Sequence, residues 1–240
     1  MKETASARPG WRRFTGPYHL MVTLLVGSYL GMPFVEESLL GGLTTLALLC
    51  LALLVGIRAA GGSPWNMRAA WGVLGLMALG TTGVLVGLDA SGSHPFGVTL
   101  RVSTALLILI GVKASLSHTL SPGRVDTDKI FAAIGALFLL ALFWGYLYLF
   151  LDESVLPDQA LFSGAQDAEA GLRISARQTE LVYFSIITLT TVGYGDIAPI
   201  HPVSRSLASL EGLTGQLYLT VLVARLVALH ISHSSEDRAG

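Results

Sequence analysis

Charge is scarce in this chain. Only 13% of its 240 residues are Asp, Glu, Lys or Arg, where an average soluble domain carries about 25%. With 52% hydrophobic residues and a mean hydropathy of +0.63, that shortage excludes an ordinary water-soluble domain. The few acids and bases nearly cancel, to a net charge of −1, which removes any electrostatic case for nucleic acid as a partner. One cysteine, Cys50, excludes an intrachain disulfide; it lies in an apolar run and reads as a small buried residue. The six histidines and scattered acids form no HExxH, GxSxG or Walker pattern, so no enzyme signature is present. His19, His94, His118 and His201 stand singly near span ends or in loops.

Long apolar runs fill the space that charge leaves. Six read as membrane spans, at roughly 18–35, 39–57, 69–88, 98–118, 129–151 and 203–231. Lys2, Arg8, Arg12 and Arg13 before the first run resemble the start of a signal peptide, but Gly31-Met32-Pro33-Phe34 is not a small-x-small cleavage site, so the run reads as a retained span. A seventh segment, 179–189, is too short to cross. At about 1.5 Å per residue it covers about half of a ~30 Å hydrocarbon core. It must enter and return as non-helical chain, which survives at that depth only inside protein or facing water. The fold expected is an all-α membrane protein with six transmembrane helices and one re-entrant helix.

The basic residues set an orientation. They gather in the N-terminal tail, at Arg58 and Arg68, and around the fourth loop at Lys113, Arg124 and Lys129, whereas Glu36, Glu37 and Asp89 occupy the intervening loops. The positive-inside rule then places both termini in the cytoplasm of a multi-pass cell-membrane protein. Trp11, Phe14 and Tyr18, interleaved with Arg12 and Arg13, read as an interfacial anchor. The 152–178 segment faces outside; its Asp152, Glu153, Asp158, Asp167 and Glu169 either concentrate cations there or form an ordinary solvated loop.

Behind the re-entrant segment the chain reads Thr190-Thr191-Val192-Gly193-Tyr194-Gly195-Asp196. Thr-Val-Gly-Tyr-Gly between a short re-entrant helix and a long final span resembles the pore of the potassium channel family. The resemblance implies K⁺ bound by carbonyl oxygens of Thr191, Val192, Gly193 and Tyr194, with the Thr191 hydroxyl adding the innermost site. Gly193 and Gly195 suit a backbone that needs φ > 0. No other cofactor is implied. A pathway of this kind needs four filter strands and the chain has one, so a homotetramer on a fourfold axis is expected.

The match extends upstream without a gap, through Tyr183-Phe184-Ser185-Ile186-Ile187-Thr188-Leu189, onto the family's pore helix. The family's Trp-Trp pair is replaced by Tyr183 and Phe184. The Tyr183 hydroxyl is expected to take over a bond to Asp196, whereas Phe184 has no donor to offer. Thr190, Tyr183, Phe184 and Asp196 are thus filter supports. In the last span, Gly212 and Gly215 read either as a gating hinge, for which Gly215 has the family's spacing, or as small residues that let helices pack closely. His230 and His233 share a face of that helix and read as a proton or metal sensor or as ordinary interfacial residues.

The layout resembles voltage-gated potassium channels, but eleven uncharged residues separate Arg101 from Lys113 in the fourth span. One charge crossing 100 mV is worth about 2.3 kcal/mol, and steep gating uses about 3–4 per subunit. Voltage dependence is therefore expected to be weak or absent. Gly27/Gly31 and Gly83/Gly87 have the spacing of close helix contacts. The expected organisation is a tail at 1–17, a four-helix bundle at 18–125 and a pore domain at 126–240. The pore domain comprises a helix at 129–151, a turret at 152–178, a pore helix at 179–189, the filter at 190–196 and an inner helix at 203–231. About nine residues follow the last span, so no cytoplasmic gating domain is expected here, and control is expected to come from lipid, pH, the filter or a separate partner. Passive K⁺ conduction leads; a non-conducting subunit or membrane sensor and a nonselective cation channel are the rivals.

Overall fold

The computed structural model describes residues 16–35, 39–61, 64–86, 95–122, 126–157, 159–164 and 173–239. Seven α-helices account for nearly all of it: α1 (Pro17–Val35), α2 (Leu39–Ala59), α3 (Pro64–Leu85), α4 (Pro95–Thr119), α5 (Thr127–Phe150), α6 (Arg173–Leu189) and α7 (Pro202–Ala239). Four of them, α1, α3, α4 and α7, open on a proline. Proline suits the first helical position, where its fixed φ is helical and its missing N–H has no intrahelical partner to lose. α5 opens instead on Asp126, whose carboxylate accepts from the Lys129 amide at 3.0 Å.

Among the described residues, five helices are long and apolar enough to cross a membrane: α2, α3, α4, α5 and α7. The chain is an all-α, multi-pass membrane protein. α1 forms over the expected range but is not one of the five. Tyr18 is no interfacial anchor: it is wholly buried and stacks on His118 at 4.5 Å. Trp11 and Phe14 lie outside the described residues.

Several boundaries move. α5 does not stop at 151 but runs on as a π-turn, Leu151–Val155, closed by the Leu156 amide on the Leu151 carbonyl at 2.8 Å. The pore helix starts at Arg173 rather than 179, and the inner helix spans Pro202–Ala239. The longer α6 still does not make a span, because Arg173, Arg177 and Glu180 occupy its first half. Its apolar part, Leu181 to Leu189, is only about 13 Å long at 1.5 Å per residue.

The helices of the amino-terminal half do not form a separate packing unit. Tyr18, Met21 and Leu25 of α1, Leu53 and Ile57 of α2, and Leu107 and Ile108 of α4 share one core with Leu139 and Leu142 of α5. α5 is thus a common wall, and Val182 of α6 joins the same core beside it. Gly27 and Gly31 face open space, so they make no close helix contact within this chain. Gly83 does, against Phe96 of α4; Gly87 lies outside the described residues. A second core, centred on Trp144, Tyr148, Phe162, Phe184 and Leu189, lies behind the loop after α6.

Candidate functional site

α6 delivers the chain to the 190–196 loop, and the way it ends fixes the loop's first residues. The Val192 amide donates to the Ile187 carbonyl at 2.9 Å and the Thr191 amide to the Thr188 carbonyl at 3.1 Å. This is a Schellman cap, whose outermost residue needs a left-handed backbone. Here that residue is Thr191, at φ 59. Threonine is β-branched and disfavoured there, so the position carries strain of order 1–3 kcal/mol. Sequence reading singled out the glycines and missed this. The Thr190 hydroxyl turns back on the Ile186 carbonyl at 2.6 Å.

Beyond the cap the loop alternates. Gly193 and Gly195 have φ of 54 and 81. The Gly193 amide also turns back, to Ile187 at 3.2 Å. Among the described residues no backbone N–H donates to a carbonyl of residues 191–195. A run of consecutive acceptors is left without a backbone donor, while the amides of Thr191, Val192 and Gly193 turn back onto α6. The Val192 and Tyr194 side chains are 50% and 73% exposed in the single chain.

Three supports hold the loop. The Tyr183 hydroxyl donates to Asp196 Oδ2 at 2.8 Å. A short ladder follows: β1 (Phe162–Ser163) pairs antiparallel with β2 (Ala198–Pro199), bracing the chain just after Asp196. The Ser204 hydroxyl adds a bond to the Leu161 carbonyl at 2.7 Å. Phe184 has no donor, but it is not idle. It packs edge-on against Tyr148 at 5.6 Å and Phe162 at 5.0 Å. The aromatic layer behind the loop is assembled from α5, β1 and α6 together.

The glycines of α7 differ. A Cβ on Gly215 would lie 2.2 Å from the Leu189 carbonyl oxygen and 2.8 Å from its carbonyl carbon, both backbone atoms. A Cβ on Gly212 would meet only the Thr188 methyl group, at 4.0 Å. Gly215 is therefore where α7 touches the end of α6. Lower down, the Tyr218 hydroxyl donates to the Ala133 carbonyl at 2.6 Å, and Arg225 donates to the carbonyls of Leu120 and Ser121 at 2.6 and 3.0 Å. The inner helix is thus tied to α5 and to the α4–α5 connection. The side chains of His230 and His233 lie outside the described residues.

The acids that follow α5 are engaged. In the π-turn, Asp152 accepts from Arg177 of α6 at 2.7 Å. The next residue, Glu153, pairs with Arg101 of α4, whose guanidinium also donates to the Ser154 hydroxyl at 3.1 Å. Neither Asp152 nor Glu153 is an ordinary solvated loop residue. Asp158, Asp167 and Glu169 lie outside the described residues. Arg101, 7% exposed, fastens the amino-terminal part of α4 to the end of α5.

A re-entrant helix, capped so that it presents unpartnered carbonyls between two membrane helices, is the architecture of an ion channel. A family model described as "Ion channel" matches residues 136–231, from α5 through the loop into α7. The inward rectifier potassium channel Kirbac3.1 of Paramagnetospirillum magnetotacticum is 33% identical over 93 residues, covering 38% of this chain and 32% of that protein. Two-pore potassium channel 5 of Arabidopsis thaliana is 30% identical over 127 residues, covering 53% and 28%. Protein LctB of Bacillus caldotenax is 30% identical over 104 residues, covering 43% and 74%. The chain belongs to the potassium channel family of ion channels. It spans less than a third of the length of either named potassium channel.

Proposed function

We propose that this chain is one subunit of a homotetrameric channel that conducts K⁺ passively and selectively across the cell membrane, with both termini cytoplasmic. The observation that carries the reading is the run of carbonyls at 191–195 with no backbone donor, set by a capped helix end and two left-handed glycines. A permeating ion must shed its hydration shell, and carbonyl oxygens are suitable replacements. One chain supplies one side of such a shell. Four copies around an axis complete it, and they also cover the exposed Val192 and Tyr194. Stacked sites let each arriving ion repel the one ahead, so tight coordination is compatible with flow. Thr191, Val192, Gly193 and Tyr194 are the ion-binding residues in this reading; Thr190, Tyr183, Phe184 and Asp196 hold them in place.

Voltage dependence in this reading is weak or absent. α2 and α3 contain no acid, and Arg101 is already paired outside the α1–α4 bundle, with Glu153. Gly215 acts first as a contact between gate helix and filter; bending of α7 there, or at Gly212, is a second role. Membrane lipids are the other partners.

Reconstitution into liposomes tests the reading. Flux of K⁺ and Rb⁺, blocked by Ba²⁺ and absent for Na⁺, is the expected result. Equal Na⁺ flux would establish a nonselective pore. Silence at every pH and voltage would establish a subunit that keeps the fold without conducting.

A further inference from the structure

Glu211 is an unusual residue to find in α7. It lies in the middle of a membrane-spanning stretch, Pro202–Arg225, and is wholly buried. Intramembrane acids are rare, because hydrocarbon does not solvate them, and they mark functional positions. Glu211 makes no ion pair among the described residues; its Oε2 accepts from the Tyr148 hydroxyl of α5 at 2.8 Å. Its other oxygen, Oε1, is buried with no partner, and so is the hydroxyl of Ser185 on α6. Ser185 stands beside the Glu211 carboxyl group without completing a hydrogen bond. One carboxyl group therefore sits where the three pore-forming helices meet.

Its position relative to the filter gives it a role. Residues 211, 212 and 215 of α7 lie along one strip of α6, opposite Ser185, Thr188 and Leu189 in turn. That strip is the last turn of α6, whose Ile187 carbonyl receives the Val192 and Gly193 amides. Displacement of α7 from α6 therefore moves the base of the loop. The aromatic ring that holds Glu211 is also part of the layer behind the loop, through its contact with Phe184 at 5.6 Å.

We infer that Glu211 is a positioning residue for K⁺ binding: through Tyr148 it fixes α7 against the last turn of α6 and so sets the ion-coordinating geometry of residues 191–194. The requirement is for a buried acceptor of the right shape. Glutamine keeps the acceptor oxygen and the size; alanine keeps neither. This inference rests on the K⁺-channel reading above.

The test is K⁺-dependent thermal stability of the full chain in detergent, titrated from Na⁺ into K⁺. A ligand that binds only the folded state stabilises it as the logarithm of 1 + [L]/Kd, so fitting the rise of Tm with K⁺ gives a K⁺ half-saturation concentration. Wild type is expected to rise in Tm with K⁺. Glu211→Ala and Tyr148→Phe are expected to raise the half-saturation concentration about tenfold, the equivalent of one buried hydrogen bond. Glu211→Gln is expected to remain within about twofold of wild type. Tyr148→Phe guards against a variant that fails to fold, since it removes one oxygen and leaves the ring. A lower Tm in Na⁺ with an unchanged K⁺ half-saturation in both variants overturns the inference and leaves a structural role only. A Glu211→Gln variant as weak as Glu211→Ala overturns it too, because charge would then be the requirement. No K⁺ effect on wild type overturns the channel reading itself, and the inference with it.

Discussion

The two halves of the molecule are bonded in different ways. In α1 to α4, hydroxyl groups turn back on their own helix: Thr23 to His19, Thr81 to Met77, Thr82 to Ala78, Thr99 to Pro95 and Thr104 to Leu100. In α5 to α7 some hydroxyl groups do the same, such as Ser209 to Arg205 and Thr214 to Leu210, but other polar side chains reach across: Tyr148 to Glu211, Gln178 to Tyr146, Tyr183 to Asp196, Tyr218 to Ala133 and Ser204 to Leu161. Within a membrane, apolar contact alone gives little preference for protein over lipid, so directional bonds and close backbone approach do the specifying. The pore half has both. The bundle is held to α5 mainly by shape, with Arg101–Glu153 as a further fastening.

That difference predicts where substitution hurts. The largest effect is expected at Gly215→Ala, where the new methyl group would fall on the Leu189 backbone. Overpacking of this kind costs about 1–3 kcal/mol, here at the contact beneath the filter, and loss of both Tm and K⁺ flux checks it. Gly212→Ala, with nothing nearer than 4.0 Å, is expected to keep both. Equal damage at the two glycines would assign their importance to bending rather than contact.

Arg101→Gln comes next. It strips the cation from Glu153, which is only partly exposed, and a stranded acid of this kind costs about 1–3 kcal/mol. A fall in Tm without a change in the slope of the conductance–voltage curve is expected. A marked change in that slope would make α4 a working sensor and erase the contrast between the halves.

Tyr183→Phe removes one exposed hydrogen bond to Asp196, a smaller loss than either of these because water competes for it. Selectivity is expected to survive while current decays faster under sustained activation. An unchanged time course would show that the bond does not hold the filter. The smallest effect is expected at Gly27→Ala on α1, where a Cβ meets nothing within 4 Å; a Tm within experimental error of wild type checks it.

The same contrast explains what could be read from sequence. The spans were legible because apolar length is a local property, and the 190–196 loop because its glycines and its setting are local too. The start of α6 was not legible: Arg173 and Arg177 look like loop residues until Asp152 of the π-turn is seen to pair with one of them. Thr191 at positive φ could have been anticipated only by treating the end of α6 as a Schellman cap. Glu211 was passed over: it is a lone acid in the last span, and its partner lies 63 residues away in sequence. No spacing rule links Tyr148 to it. Gly212 and Gly215 looked alike in sequence, and only the approach of Leu189 separates them. Long-range pairings are the part of the site that sequence patterns leave unwritten.

The central claim is that four copies of this loop select K⁺. Its most direct measurement is the reversal potential of the purified protein in a planar bilayer with KCl on one side and NaCl on the other. A reversal potential close to the K⁺ equilibrium value, with current blocked by Ba²⁺, is the predicted result. A reversal near zero with sustained current would contradict the account.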